Sequence, residues 1–245
     1  MKTTLLIPTL NEVEGMKIIM PRVKKEWIDQ CIIADGGSTD GTVELAKEMG
    51  YEVVPQKTPG IIYAQRDAFP SIIGDIIISF SPDGNCIPEL IPELIAKMKE
   101  GYDMVIMSRY LNGLRSEDDS RSSRIGNQVI TKLINLAFGG TYTDTLSIFR
   151  GYRTQAIVEL GLLHDRKLSI APLVARHYCW DLMSSIRMAK ASYKVLEIPG
   201  LEPKRVGGVG KCRHFTAGFA TLALIANEFL VWNVQPSQLT ASEQA

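Results

Sequence analysis

The stretch Thr3–Thr42 reads TTLLIPTLNEVEGMKIIMPRVKKEWIDQCIIADGGSTDGT, and its pattern decides the fold. Thr3 to Ile7 is a short apolar and β-branched run closed by Pro8; Cys31 to Ala34 is a second, closed by Asp35-Gly36-Gly37. Runs of this length bounded by turn residues read as buried parallel strands. Between them, Glu12 to Trp27 interleaves charged and apolar residues at helical spacing, and Thr42 to Met49 does so again after the Gly-rich turn. Strand, helix, strand, helix is the rhythm of a doubly wound α/β sheet.

The rhythm continues outward. Tyr51 to Val54 predicts a strand, Tyr63 to Phe69 a helix, and Asp75 to Phe80 (DIIISF) the most apolar strand of the chain. Ile87 to Glu100 follows as a helix and Met104 to Met107 as a strand, while the polar run Leu111 to Arg124 (LNGLRSEDDSRSSR) predicts a mobile loop. Helices are expected over Ile125 to Phe138, Thr154 to Leu160 and Ser169 to Lys190, then a strand from Lys194 to Ile198. Phe215 to Val234 is mostly apolar but contains Asn227 and Glu228, which favours a helix lying on the domain or in the membrane interface over a membrane span. The expected organisation is a catalytic domain over 1–213 and a C-terminal apolar helix with a polar tail over 214–245.

Composition narrows the function. Of 245 residues 45% are hydrophobic, and 27 basic side chains balance 27 acidic ones, so one large core or two modest ones are available and the broad positive field of a nucleic-acid binder is not. The four cysteines (Cys31, Cys86, Cys179, Cys212) are widely spaced, with no C-x-x-C pair. That pattern predicts reduced thiols in a cytoplasmic setting and no zinc site. The apolar stretch after Met1-Lys2 is too short for a signal peptide.

Doubly wound sheets place their ligands at the carboxyl ends of the strands, so the informative segments follow Ile7, Ala34, Phe80 and Met107. IPTLNE (Ile7 to Glu12) and ADGGSTDGT (Ala34 to Thr42) present the carboxylates, amides and hydroxyls that a nucleoside requires. SFSPDGN (Ser79 to Asn85) offers Asp83 and Asn85 as oxygen ligands for a hard cation beside a diphosphate. Beyond this half, Arg109, Arg121, Arg124, Arg150, Arg153, Arg205, Lys211 and Arg213 concentrate basicity in a chain of zero net charge, and guanidinium groups are natural phosphate ligands.

In these motifs the chain resembles the family 2 glycosyltransferases with the GT-A nucleotide-sugar fold, and most of all the dolichol-phosphate mannosyltransferase or polyprenyl-phosphate glycosyltransferase type. SRY (Ser108 to Tyr110) is similar to that type's G-[ST]-R-[YF] segment, DTLSIFRGYR (Asp144 to Arg153) to its D-x-[ST]-S-G-[FY]-[RK]-x-[YF] motif, and EIPGLEPKRVGGVGK (Glu197 to Lys211) to E-[IV]-P followed by R-x-x-G-x-S-K. Among the positions that depart from it, the family's D-x-D reads Ser81-x-Asp83, with Asn85 after it, Ile148 replaces a small residue, and Gly210 replaces serine.

The resemblance implies an inverting transfer from a nucleoside-diphosphate sugar donor to a polyprenyl-phosphate lipid acceptor. Pro8, Thr9, Glu12 and Asp35 would contact the nucleoside, with Asp40 fixing the turn. Asp83 and Asn85 would hold Mg²⁺ or Mn²⁺, Arg205 and Lys211 would close over the diphosphate, and Arg109 and Arg124 would position the acceptor phosphate. Asp144 would orient the arginines, contact the sugar or serve the fold. An acceptor hydroxyl would instead need a carboxylate base, with Asp144 the candidate. A sugar-nucleotide binding protein without catalysis is the rival motivated by Ser81. A nucleotidyltransferase is disfavoured because Thr9 to Glu12 has neither glycine nor a basic residue.

Overall fold

The computed structural model describes residues 1–164, 170, 179–206 and 214–231. Seven strands form one sheet: β1 (Thr3–Thr9), β2 (Gln30–Asp35), β3 (Glu52–Pro55), β4 (Ile76–Ser79), β5 (Met104–Ser108), β6 (Arg150–Arg153) and β7 (Val195–Pro199), in the order β3-β2-β1-β4-β6-β5-β7. Only β6 among them runs antiparallel, against both β4 and β5. The helices are α1 (Val13–Ile19), α2 (Thr42–Glu48), α3 (Ile61–Ala68), α4 (Ile91–Lys99), α5 (Arg121–Phe138), α6 (Thr154–Glu159), α7 (Trp180–Lys190) and α8 (His214–Val231). The mostly parallel α/β architecture expected from the alternating runs is the one observed.

Alternation along each strand splits the core between the two sheet faces. Leu6, Ile32, Ile77 and Ile106 pack with α3, α5, α6, α7 and the Leu224 and Ile225 side chains of α8. Leu5, Ile7, Ile33, Ile78 and Val105 pack with α1, α2 and α4 on the other face. Each such side chain contributes roughly 1.5–3 kcal/mol on full burial, so strand register is fixed from both sides.

Four local expectations change. Pro8 does not close β1, which runs on to Thr9 opposite Asp35. The helix expected over Glu12–Trp27 is broken: α1 stops at Ile19, and two 3₁₀ turns follow, the first containing Pro21, which has no N–H to donate. The run Leu111–Arg124 is ordered at both ends, by a 3₁₀ turn at Leu111–Gly113 and by α5, which begins at Arg121 because the Ser120 side chain caps the Ser123 amide. The fourth is β6, inside the segment read as a polar motif. Because β6 is antiparallel, its first residue lies at the edge where β1, β2, β4, β5 and β7 end, so residues 143–149 and 200–206 join the four predicted loops there.

Candidate functional site

The first two loops are locked together by their own polar groups. Asp35, only 4% exposed, accepts from the Thr9 hydroxyl (3.2 Å), the Gly37 and Ser38 amides (2.9 Å each) and the Ser38 hydroxyl (2.5 Å). Asp40 accepts from Thr42 and from the Val13 amide; burial raises its pKa, but these bonds outweigh it and hold the carboxyl below its ordinary value. Asp40 thus ties the start of α1 to the start of α2. The Glu12 amide donates to the Thr42 hydroxyl at 2.9 Å. Pro8, Thr9, Glu12 and Asp35 therefore sit at one end of the β1–β2 pair, as the sequence places them.

The Asp83 loop is packed from below and covered from above. A Cβ on Gly15 would stand 2.4 Å from the Pro82 carbonyl oxygen, so α1 approaches the loop as only glycine permits. Asp83 is 5% exposed; its Oδ2 lies 2.8 Å from Arg205 Nη2 and its Oδ1 accepts from the Asn85 amide at 3.0 Å. Arg205 Nη1 also stands 4.0 Å from Glu12 Oε1. Around Asp83 no group of three His, Cys, Asp or Glu side chains suited to a metal occurs among the described residues. The donor set is one carboxylate and one amide, which fits a Mg²⁺ or Mn²⁺ that takes its remaining ligands from substrate phosphates and water, and does not fit an all-protein cage.

On the far side of the crevice Arg109 is gripped by acids. Its Nε and Nη2 meet the two oxygens of Asp144 at 2.6 and 2.9 Å, and its Nη1 stands 3.4 Å from both oxygens of Glu202. Asp144 is fully buried and also accepts from Asn127 (2.9 Å). Burial alone would raise its pKa, but Arg109 and Asn127 outweigh this and bring it to about 2. Glu197 accepts from the Thr143 and Asp144 amides (2.7 and 2.9 Å), presenting Asp144 to Arg109; burial pushes both Glu197 and Glu202 up. A small cavity joins the two halves, bounded by Asn85 and Cys86 on one side and Arg109, Ile148 and Glu202 on the other.

The other basic residues divide. Arg124, in the first turn of α5, has an enclosed Nε without a hydrogen-bond partner and makes no ion pair among the described residues. Arg150 and Arg153 do not join the phosphate cradle. Arg150 is wholly buried, bonded to the Thr145 and Ser147 carbonyls and to Ser185, and braces the Asp144 loop from inside. Arg153 lies at the opposite end of the sheet in ion pairs with Asp103 and Glu159. Lys211 and Arg213 lie outside the described residues. Asn127, Glu197 and Glu202 are site residues that sequence reading did not single out; the E-I-P triplet was the one signal for Glu197.

Comparison with known proteins shows the family and the fold. The family model described as Glycosyl transferase family 2 matches residues 4–161. Glycosyltransferase AglJ of Haloferax volcanii is 30% identical over 162 residues, covering 66% of this chain and 53% of that protein. The undecaprenyl-phosphate 4-deoxy-4-formamido-L-arabinose transferase of Proteus mirabilis is 28% identical over 190 residues, 72% of this chain and 56% of that one. The chain thus spans about half the length of these curated relatives. Glucosyl-3-phosphoglycerate synthase of Mycobacterium tuberculosis, solved with Mn²⁺, uridine diphosphate and glucosyl-3-phosphoglycerate, superposes with a TM-score of 0.62 at 18% identity, over 92% of this chain and 78% of that one. The latter is a likeness of fold.

Proposed function

The chain belongs to glycosyl transferase family 2, and from that premise we propose that it transfers a sugar, with inversion, from a nucleoside-diphosphate sugar to a polyprenyl phosphate. The observation that carries the acceptor reading is the state of Asp144. A fully buried carboxylate whose two oxygens already accept from the Arg109 guanidinium and from Asn127 is not placed to take a proton from an acceptor hydroxyl, whereas a phosphate arrives as an anion and needs no base. The relative in Proteus mirabilis, named for undecaprenyl phosphate, supports the same reading.

In this reading a phosphate oxygen attacks the anomeric carbon as the bond from that carbon to the donor diphosphate breaks, and the departing oxygen takes the electron pair. Thr9, Glu12 and Asp35, with Pro8, line the nucleoside position. Asp83 and Asn85 would hold Mg²⁺ or Mn²⁺, which would supply positive charge against the leaving diphosphate. Arg205 faces the same charge, a role its motif extends to Lys211, while Arg109 and Arg124 hold the acceptor in line. Because Arg124 has no acidic partner among the described residues and its enclosed Nε is without a hydrogen bond there, Arg124→Ala is expected to reduce transfer to a short polyprenyl phosphate by about 10–100-fold, the range of one to two charge-assisted hydrogen bonds. The assay uses labelled donors; an undiminished rate, or transfer indifferent to the lipid phosphate, overturns the acceptor reading.

The lipid acceptor requires a membrane surface, and no described helix is long and apolar enough to cross one. We place the contact on the outer faces of α5 and α8, which Phe138 and Phe229 join edge to face. Ile125, Val129 and Leu136 stand exposed on α5 and Phe219, Leu222 and Leu230 on α8. Arg121 and Lys132 are also exposed on α5, while the acid of α8, Glu228, is buried, so this face is apolar and basic. Truncation after residue 213 would be a poor test, since it removes the core side chain Leu224. Val129→Asp/Leu136→Asp is expected to lower co-sedimentation with anionic vesicles several-fold at unchanged melting temperature; unchanged partition removes this surface from consideration.

A further inference from the structure

Arg205 stands where positive charge is needed beside Asp83, and the main chain around it is built to keep it there. The Val206 amide donates to the Asp83 carbonyl at 2.7 Å, and Asn85 Nδ2 donates to the Pro203 carbonyl at 2.8 Å. The Arg205 amide reaches Asp118 Oδ1 at 3.3 Å. Gly84 has φ +97°, and a Cβ there would meet Val206 Cγ2 at 2.7 Å, so the strap formed by residues 203–206 lies on the loop backbone with no room for a side chain between them.

We propose that Arg205 is the resident counter-ion of Asp83, and that a divalent cation enters only in company with the donor diphosphate, the guanidinium passing from the carboxylate to a phosphate as it does. The inference rests on the reading that Asp83 faces the diphosphate. Both carboxylate oxygens of Asp83 are already engaged, one by Arg205 and one by the Asn85 amide. A free divalent ion at that carboxylate would place three positive charges against Asp83 and Glu12, in a site where Asp83 is 5% exposed and repulsion is poorly screened. A diphosphate brings the missing negative charge and gives Arg205 a bidentate partner in exchange. Arg205 is a quarter exposed, so its head can move without unpacking the core. The strap thus makes metal and donor binding mutually dependent, with Arg205 the positioning residue that couples them.

Mn²⁺ binding, read from loss of the free-ion electron paramagnetic resonance signal, tests this without turnover. Wild type should bind free Mn²⁺ weakly and bind it much more tightly with uridine or guanosine diphosphate present. Arg205→Gln should bind free Mn²⁺ about tenfold or more tighter than wild type, since a competing cation is gone. Arg205→Lys, which keeps the charge, should stay weak, and Asp83→Asn should lose binding in every case. A merely structural Arg205 would not produce a gain in metal affinity. If wild type binds Mn²⁺ with nucleotide but Arg205→Gln takes free Mn²⁺ no more tightly, the exchange is overturned and the donor site stands. If no variant binds Mn²⁺ with or without either nucleotide, the donor reading at Asp83 falls and the exchange with it.

Discussion

Replacing Asp144 with alanine is expected to cost about 3–5 kcal/mol of stability, the range for removing one partner of a buried ion pair, and to cut transfer by about 10²-fold or more through loss of geometry. Asp144 is fully buried and accepts from the Arg109 guanidinium through two hydrogen bonds, from the Arg109 and Leu146 amides, and from Asn127. Glu202, at 3.4 Å, is too distant to replace it fully. The freed guanidinium would turn toward Glu202 and away from the acceptor. Urea unfolding reads the first effect and single-turnover transfer the second; an Asp144→Ala protein within about 1 kcal/mol of wild type contradicts the assigned geometry. Acid supplies an independent check. The folded-state pKa of about 2 lies below the unfolded value near 3.9, so this carboxylate's contribution is complete above pH ~4 and lost as pH falls toward 2. The stability gap between wild type and Asp144→Asn should narrow across that window.

Legibility in the sequence followed what each residue packs against. β1, β2, β4 and β5 are buried on both faces, so unbroken apolar runs such as Ile76–Ser79 announced them. β6 carries arginine at both ends, and its place in the sheet depends on Arg150 finding buried carbonyl and hydroxyl partners on loops and α7, which no local pattern records. Asp83 and Arg109 were legible because loops after strands must face the crevice, whereas Asp144, which precedes the antiparallel β6, was legible only through its motif, which also offered it as a partner of the arginines. The closure of Arg205 on Asp83 was not legible. Read along the chain, N-terminal acids and C-terminal bases suggested separate tasks for nucleoside and phosphate. In space Arg205 closes on Asp83 and Glu12, and Arg109 on Asp144 and Glu202, so each of these two arginines is met by a pair of acids inside the site. Ser120 shows the smaller version of the same lesson: one side chain accepting one amide moved the start of α5 forward to include Arg121 and Arg124.

Glu228→Ala is expected to loosen α8 and lower global stability by about 3–5 kcal/mol. The Glu228 carboxylate meets Arg187 Nη2 and Nε at 2.8 and 3.1 Å, with the two side chains 4% and 2% exposed. Arg187 Nη1 also donates to the Leu160 and Gly161 carbonyls at 2.8 Å each. Removing the carboxylate takes a charge partner from a guanidinium that cannot deprotonate and cannot reach bulk water without displacing α8. The double variant Arg187→Met/Glu228→Leu removes both charges and refills the volume, and should recover most of the loss, because a packed apolar pair substitutes for a buried ion pair at little cost. Hydrogen exchange across 218–230 distinguishes the cases: fast in Glu228→Ala, slow in wild type and in the double variant. A helix separable from the catalytic domain after residue 213 would show fast exchange in all three. Slow exchange that depends on Glu228 would instead mean that one buried ion pair both completes the core around Leu224 and fixes the helix whose outer face exposes Phe219, Leu222 and Leu230.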